Sequence, residues 1–197
     1  MRVISGTARG TKINTIESTL TRPTLDRVKE SLFNILQNRI KNSIILDLFA
    51  GSGALGIEAL SRGACKAVFC DLNNKAVNII KQNLQKTNLT DNSIVLNMDY
   101  KKCLKKIHNN SIKFDIVFLD PPYKLDFAIK AVDQIISLGI LNYNGLIIVE
   151  TDEILRDEKE IKKVLKANEK NIYNIHIVDK RKYGRANLLF LGIDEEI

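Results

Sequence analysis

The chain has 197 residues, 45% of them hydrophobic, and a formal net charge of +7. These values fit one globular domain with an ample buried core and leave room for only a small appendage. The sequence contains no apolar run of about 18 residues and no apolar stretch near its N-terminus, so we expect a cytoplasmic protein with neither a membrane span nor a secretion signal.

The three cysteines argue against a site built on sulfur. Cys65, Cys70 and Cys103 form no Cys-x-x-Cys pair and are odd in number. Both features disfavour a disulfide framework and a zinc site. We therefore expect reduced thiols and no bound metal.

The positive charge is concentrated at the two ends of the chain. A basic excess of this kind favours a polyanionic partner, although a lysine-rich surface also serves solubility. For the second basic cluster, residues 180–182, a solvated surface is almost as good an explanation. The candidate nucleic-acid contacts are Arg2, Arg9, Arg22, Arg27, Lys180, Arg181, Lys182 and Arg185.

The first 42 residues are predicted to form an extension that faces nucleic acid. Residues 1–15 alternate weakly around two glycines, which predicts a short hairpin with Arg9 at its turn. Thr24 is a candidate N-cap, and apolar residues then recur at helical spacing as far as Ile40. Residues 43–197 are predicted to form the main domain.

From residue 44 onward, apolar strands alternate with amphipathic helices. This alternation predicts an α/β fold with a seven-stranded, mostly parallel sheet covered by helices on both faces. The connection between the last two strands is too short for a helical crossover, which predicts a C-terminal antiparallel hairpin. The predicted strands are 44–49, 66–71, 93–97, 114–119, 145–150, 172–178 and 187–193, and the predicted helices are 53–62, 73–87, 100–107, 126–138 and 157–168.

The first strand of this sheet leads into a glycine turn. Asp47 lies at the end of the strand, and Gly51, Ser52 and Gly53 follow before the next helix begins. Together with Gly56 the glycines spell G-x-G-x-x-G, and Asp71 ends the next strand about 20 residues later, as in nucleotide-binding folds. NAD, FAD and S-adenosylmethionine all carry a ribose diol that an acid can bind, so this motif leaves the cofactor open.

Acids also follow the next two strands, where ligands bind in such sheets. Asp99 lies just past the third strand, and Asp120 ends the fourth. An aspartate after a strand is often only the N-cap of the following helix. For Asp99 this explanation is nearly as good as a functional one.

The motif after the fourth strand indicates the chemistry. In Asp120-Pro121-Pro122-Tyr123 the prolines fix φ and remove two N–H donors, which leaves the Asp120 carboxylate and the Pro121 carbonyl as acceptors. A planar amino group brings two N–H donors to such a loop, and the Tyr123 ring offers a surface for stacking a base. A simple turn is the alternative explanation.

The chain resembles the RsmD family of bacterial ribosomal RNA methyltransferases in four segments that occur in the same order: RVISGTARG, RPTLDRVKESLFN, DLFAGSGALGIEALSRGA and FLDPPY. The likeness runs over nearly the whole chain. Because other base methyltransferases share DPPY, and an Asn form occurs in protein glutamine methyltransferases, the family assignment rests on the N-terminal segments.

The resemblance implies a Rossmann-like class I methyltransferase that uses S-adenosylmethionine to methylate N2 of a guanine in small-subunit ribosomal RNA. It implies that Asp71 binds the ribose hydroxyls, Asp99 the adenine amino group and the glycine turn the methionine part. Asp120 and the Pro121 carbonyl would then each accept an N–H of the target amine. We expect a monomer whose partner is this RNA or its assembly intermediate.

Three alternatives remain open. An amino-methyltransferase of another RNA or DNA base would share the second motif. An NAD-dependent oxidoreductase would share the glycines and Asp71, but no tyrosine here is followed by lysine in a Tyr-x-x-x-Lys pair. A non-catalytic RNA-binding module would have little reason to keep the intact DPPY loop.

Overall fold

The computed structural model describes residues 1–15, 22–121, 126–168, 175–184 and 186–192, with side chains left out at 22–25 and 126. The chain adopts the predicted α/β fold, with seven strands in a mostly parallel sheet that ends in an antiparallel C-terminal hairpin. The chain forms two compact units, Met1–Asp99 and Tyr100–Ile197. The predicted boundary after residue 42 stays a prediction.

The first unit contains three parallel strands in the order β3-β2-β1. Buried aliphatic runs form these strands; Ile45 and Leu46, for example, are fully buried, as expected for strands covered on both faces. Its elements are α1 (Arg22–Ile35), β1 (Ile44–Leu48), α2 (Ala54–Ser61), β2 (Lys66–Asp71), α3 (Asn74–Thr87) and β3 (Ser93–Asn97).

Helix α1 differs from its prediction at both ends. Thr24 lies inside the helix rather than at its N-cap, and the helix ends at Ile35. Leu36 and Ile40 remain buried, but a tight turn in which the Arg39 N–H donates to the Leu36 carbonyl (2.8 Å) replaces the last helical turn. The apolar spacing therefore continues beyond the helix, which is why the sequence predicts it too long.

The N-terminal hairpin exists as a single antiparallel bridge between Arg2 and Lys12, and it packs along helix α2. The fully buried carboxylate of Glu58 accepts the N–H groups of Ile4 (2.8 Å) and Ser5 (3.0 Å). Gly6 approaches the end of α2 so closely that a Cβ there would lie 1.7 Å from the Ser61 carbonyl oxygen. The hairpin is thus part of the first unit's core packing.

The second unit contains β4 and β5 as a parallel pair, followed by β7 and β6 as antiparallel neighbours. Most predicted bounds agree with the structure to within two residues. Its elements are α4 (Tyr100–Asn109), β4 (Phe114–Leu119), α5 (Asp126–Leu138), β5 (Leu141–Thr151), α6 (Ile154–Ala167), β6 (His176–Tyr183) and β7 (Ala186–Gly192).

Three elements of this unit differ from prediction. Strand β5 begins at Leu141 because that residue pairs with Phe114 ahead of a register shift, although the intervening residues are polar. Helix α6 begins three residues early, at Ile154. Residues 172–174, where a strand was predicted to start, lie outside the described residues, and β6 continues instead to Tyr183.

The basic cluster 180–182 therefore lies within β6 and not between the last two strands as predicted. Its backbone pairs with β7 as far as Tyr183, opposite Ala186. Strand β6 is the last in the sheet order, and lysines on such an edge strand discourage pairing with other chains.

No helix in the described part of the chain is long and apolar enough to cross a membrane. Among the same residues, no group of three or more His, Cys, Asp or Glu side chains is arranged to hold a metal ion.

Candidate active site

The turn after β1 has a constrained backbone. Gly51 and Gly53 have φ values of 54° and 75°, which favour glycine, and Phe49 has φ of 93°. A bulky residue at positive φ is a rare and costly conformation that often marks a functional site. The N–H groups of Phe49 and Ala50 both donate to the Cys70 carbonyl at 3.0 Å, which holds the turn against the end of β2.

The structure brings together the two parts of the nucleotide-binding fingerprint. The Gly51 N–H donates to Oδ2 of Asp71 at 2.8 Å, and the Asn73 N–H donates to Oδ1 at 2.8 Å. A Cβ placed on Gly51 would meet no atom within 4 Å, so this side of the turn faces open space. A fixed, half-buried carboxylate therefore lies beside an accessible glycine backbone.

Asp47 lies behind the turn. It is buried, and its Oδ2 accepts the N–H of Gly56 (3.0 Å) near the N-terminus of α2, where a negative charge is favourable. A Cβ on Gly56 would lie 2.3 Å from the Phe69 ring, so this third glycine allows the helix to pack on β2. The predicted contact of Asp47 with a cofactor stays a prediction.

Leu72 is a candidate site residue that the sequence analysis missed. Its side chain is 70% exposed directly after Asp71, and Nδ2 of Asn97 donates to the carbonyls of both residues (3.1 Å each). An exposed leucine whose backbone is held beside Asp71 can serve as an apolar platform. The sequence signal was an apolar residue immediately after a strand-end acid.

Asp99 lies at the same edge of the first unit as Asp71. Asn97 is the register partner of Asp71, and Asp99 follows it by two residues in a half-buried position. Its predicted contact with an adenine stays a prediction.

In the second unit, the strand register places two acids side by side. Leu119 pairs with Val149, so that Asp120 and Glu150 follow at the carboxyl ends of the adjacent parallel strands β4 and β5. The sequence analysis missed Glu150, because its position beside Asp120 depends on the register of two strands 30 residues apart.

Both carboxyl groups bind protons more tightly than usual. Although Asp120 is exposed at the end of β4, the surrounding protein raises its pKa from 3.8 to about 6 by desolvation. Desolvation and then the charge of Asp120 raise the pKa of Glu150 from 4.5 to about 8. Near neutral pH the two carboxyl groups together therefore carry about one negative charge.

The end of β5 is anchored beside this pair. The hydroxyl of Thr151 donates to the buried carboxylate of Asp157 in the first turn of α6, and its oxygen accepts the Glu153 N–H (3.0 Å). Nδ2 of Asn187 donates to the Thr151 carbonyl at 3.1 Å. These bonds fix the backbone that carries Glu150.

The structure describes Asp120 and Pro121, the first half of the DPPY motif. Pro121 is half-buried after Asp120, whereas Pro122 and Tyr123 lie outside the described residues. Phe127, in the first turn of α5, is 40% exposed and packs edge-on against Tyr100, with ring centroids 5.8 Å apart.

The predicted nucleic-acid contacts have different surroundings. Arg2, Arg9 and Arg27 are exposed, while the Arg22 side chain and Arg185 lie outside the described residues. Arg9 belongs to the hairpin turn that packs near Ser61, at the end of α2 about 11 Å from the helix start and the glycine turn.

Part of the charge of the second cluster is neutralised within the second unit. Lys180 pairs with Glu158 at 2.9 Å and Arg181 with Asp179 at 2.7 Å. The exposed Lys182 completes the cluster. Two of the three cations thus have acidic partners, which favours the solvated-surface explanation for this segment.

Similarity to known proteins extends over nearly the whole chain. A family model described as Conserved hypothetical protein 95 matches residues 1–192. The chain is 43% identical over 154 residues to Ribosomal RNA small subunit methyltransferase D of Haemophilus influenzae, and the match covers 78% of this chain and 79% of the relative.

Two solved structures share the fold. A hypothetical protein of Thermus thermophilus has a TM-score of 0.78 at 26% identity, covering 98% of this chain and 99% of that one. The tRNA m1G37 methyltransferase of M. jannaschii has a TM-score of 0.62 at 21% identity, covering 90% of this chain and 50% of that one.

Proposed function

The chain belongs to the Conserved hypothetical protein 95 family, and from that premise we propose that it is an S-adenosylmethionine-dependent methyltransferase of small-subunit ribosomal RNA. We propose further that the target is the N2 amino group of a guanine. The bond between Gly51 and Asp71 carries the cofactor part of this proposal, since it holds an acid beside an accessible glycine turn. The protein would act in the cytoplasm, as a monomer and without a metal, on this RNA or its assembly intermediate.

The residues around the turn fit S-adenosylmethionine. Each oxygen of Asp71 accepts one backbone N–H and keeps a further lone pair that can accept a ribose hydroxyl. The open side of Gly51 admits the amino-acid part, and the exposed Leu72 offers an apolar surface to the adenine. When bound, the cofactor supplies an electrophilic methyl group on a sulfonium.

Replacing Asp71 by alanine should weaken S-adenosylmethionine binding by about 1–3 kcal/mol, because the change removes a charged acceptor and releases the Gly51 N–H. Isothermal titration calorimetry measures this effect. Asp91→Ala is the control, since it removes an exposed acid in the loop before β3, at the opposite end of the strands. Tight NAD binding by the unmodified protein, without S-adenosylmethionine binding, would reverse the choice of cofactor.

On the target side, Asp120 and Pro121 are proposed to orient the guanine amino group. The lone pair of a guanine amino group is delocalised into the ring, so the group is a poor nucleophile. Asp120 and the Pro121 carbonyl would each accept one N–H and direct the remaining lone pair toward the methyl group. The exposed ring of Phe127, close in sequence to the DPPY loop, offers a stacking surface for a neighbouring base.

The rate of methyl transfer should fall as the pH decreases through about 6, because protonated Asp120 no longer accepts the amine N–H with a full charge. Glu150 is protonated in that range, so Glu150→Gln should leave this acid limb in place. Single-turnover rates at saturating cofactor between pH 5 and 9 test both statements. A rate that is level down to pH 5 would contradict the role of ionised Asp120.

Stability should show the opposite dependence on pH. Both folded-state pKa values lie above the unfolded values of 3.8 and 4.5, so the folded protein binds more protons between about pH 4 and pH 8. The stability contributed by these groups is therefore lost as the pH rises through that window. Glu150→Gln should raise the melting temperature at pH 9 relative to the unmodified protein and change it little at pH 5.

The N-terminal cations are proposed to bind RNA phosphates. Replacing both Arg22 and Arg27 by glutamine should lower RNA affinity and reduce the slope of log affinity against log salt by about 2, without changing S-adenosylmethionine affinity. The control replaces Lys41 and Lys66, which are exposed near the amino ends of β1 and β2. Filter binding at several salt concentrations measures the slopes, and equal effects of both pairs would mean that only net charge attracts RNA.

A further inference from the structure

Asn83 lies in α3 and is fully buried. Its Oδ1 accepts the N–H of Asn14 at 2.7 Å, and its Nδ2 donates to the Asn14 carbonyl at 2.9 Å. The same Nδ2 donates its second hydrogen to the Ser52 carbonyl, also at 2.9 Å. One side-chain amide thus pairs with the end of the N-terminal hairpin and with the glycine turn.

Helix α3 supports both segments in other ways. The Asn14 side chain donates to Oε1 of Gln82 (3.1 Å) and accepts a hydrogen bond from Lys86 (2.6 Å). On the turn side, a Cβ on Gly53 would lie 3.3 Å from the Ile80 side chain, so the turn rests directly on α3. The hairpin end and the rear of the turn therefore share one support.

The chemistry of Asn83 is specific to this arrangement. Only an amide offers two N–H donors and a carbonyl acceptor in one plane. An apolar residue of similar size would leave three backbone groups without these bonds, and aspartate would place an oxygen against two carbonyl oxygens. The sequence gives no sign of this, because asparagine on a helix is usually a surface residue.

Building on the proposed function, we propose that Asn83 is a positioning residue that couples the cofactor turn to the N-terminal hairpin, so that S-adenosylmethionine binding at the turn strengthens RNA binding by the N-terminal segment. The physical link is the shared amide: a ligand that fixes Ser52 also fixes the orientation of the Asn83 side chain, and with it Asn14. Asn14 lies at the end of the hairpin, whose exposed Arg2 and Arg9 are among the cations proposed to contact RNA. Linkage is reciprocal, so RNA would raise cofactor affinity by the same factor.

Amide hydrogen exchange of the unmodified protein tests this link directly. The Asn14 N–H donates to Asn83, so its exchange rate reports the opening of that bond. Saturating S-adenosylhomocysteine should slow exchange at Asn14 by about tenfold, which is a typical coupling factor. The Val3 N–H, which donates to Thr11 within the hairpin, should change far less. Unchanged exchange at Asn14 while calorimetry shows binding would overturn the coupling alone, whereas no binding at all would contradict the proposed function.

Two variants extend the test to RNA. Small-subunit ribosomal RNA affinity is measured with and without S-adenosylhomocysteine. The unmodified protein should gain about tenfold in affinity, and Asn83→Asp should lose most of that gain. The control is Thr87→Val. Among the described residues, the buried Thr87 hydroxyl donates to the backbone carbonyls of Asn83 (2.8 Å) and Leu84 (3.2 Å) in its own helix, so this change leaves the side-chain amide of Asn83 in place. A full gain in Asn83→Asp, or an equal loss in Thr87→Val, would overturn the proposal; should Asn83→Asp fail to fold, the exchange measurement decides.

Discussion

Replacing Asp120 by alanine is expected to lower the rate of methyl transfer by about 100- to 1000-fold at saturating S-adenosylmethionine, as for the loss of one charge-stabilising group in a transition state. The carboxylate is placed to hold the target amine and not the methyl donor, so cofactor affinity should change little. Single-turnover methylation separates the two quantities, because it measures the chemical step with the cofactor already bound.

A matched control lies on the same strand. Asp115 is a half-buried acid near the start of β4 that accepts a hydrogen bond from Asn142 at 2.7 Å. Asp115→Ala removes an acid and a hydrogen bond at the opposite end of the strand, so its transfer rate should stay close to that of the unmodified protein. Full activity in Asp120→Ala would exclude the mechanism proposed for the DPPY motif.

The largest loss of stability is expected for Glu58→Ala. The carboxylate of Glu58 lies 3.0 Å from Nζ of Lys29 and 2.8 Å from Nε of Arg62, and Lys29 is only 3% exposed. Removing the acid leaves a buried ammonium without its counter-charge and frees two N–H groups of the hairpin. Such a change typically costs about 3–5 kcal/mol.

Glu158→Ala provides the comparison. Glu158 also pairs with two cations, Lys162 (2.6 Å) and Lys180 (2.9 Å), but these lysines are 62% and 51% exposed. Exposed pairs contribute about 0–1 kcal/mol, so urea unfolding should show a much smaller loss of stability. Similar losses for the two variants would mean that the buried network around Glu58 does not hold the hairpin as described.

The glycine turn and its acid could be predicted because their signals are local. A strand, a glycine-rich turn, a helix and a second strand ending in Asp71 follow one another in sequence, and the structure joins Gly51 to Asp71 by a hydrogen bond. Most strand bounds agree for the same reason, since buried aliphatic runs define them. The resemblance to the RsmD family, which the sequence analysis drew from four segments, is confirmed by the family model that matches residues 1–192 and by the similarity to Ribosomal RNA small subunit methyltransferase D.

Contacts over long sequence distances could not be predicted. A glutamate on a helix is usually exposed to solvent, but Glu58 is fully buried. Its hydrogen-bond partners Ile4 and Ser5 lie more than 50 residues earlier in the sequence. The raised pKa of Glu150 comes first from burial and then from the charge of Asp120, a neighbour that only the register of β4 and β5 brings alongside. Likewise, β5 begins in a polar stretch because of its pairing with β4, a tertiary effect that overrides local preference.

Nucleoside analysis of methylated ribosomal RNA tests the proposed function most directly. The protein is incubated with S-adenosylmethionine carrying a labelled methyl group and with small-subunit ribosomal RNA, either naked or in assembly intermediates, and Asp120→Ala serves as the negative control. We predict that the label appears in N2-methylguanosine in the small-subunit RNA and is strongly reduced in the control. Label in a different nucleoside would contradict the guanine N2 assignment, and the absence of label from every RNA substrate would contradict the proposed activity.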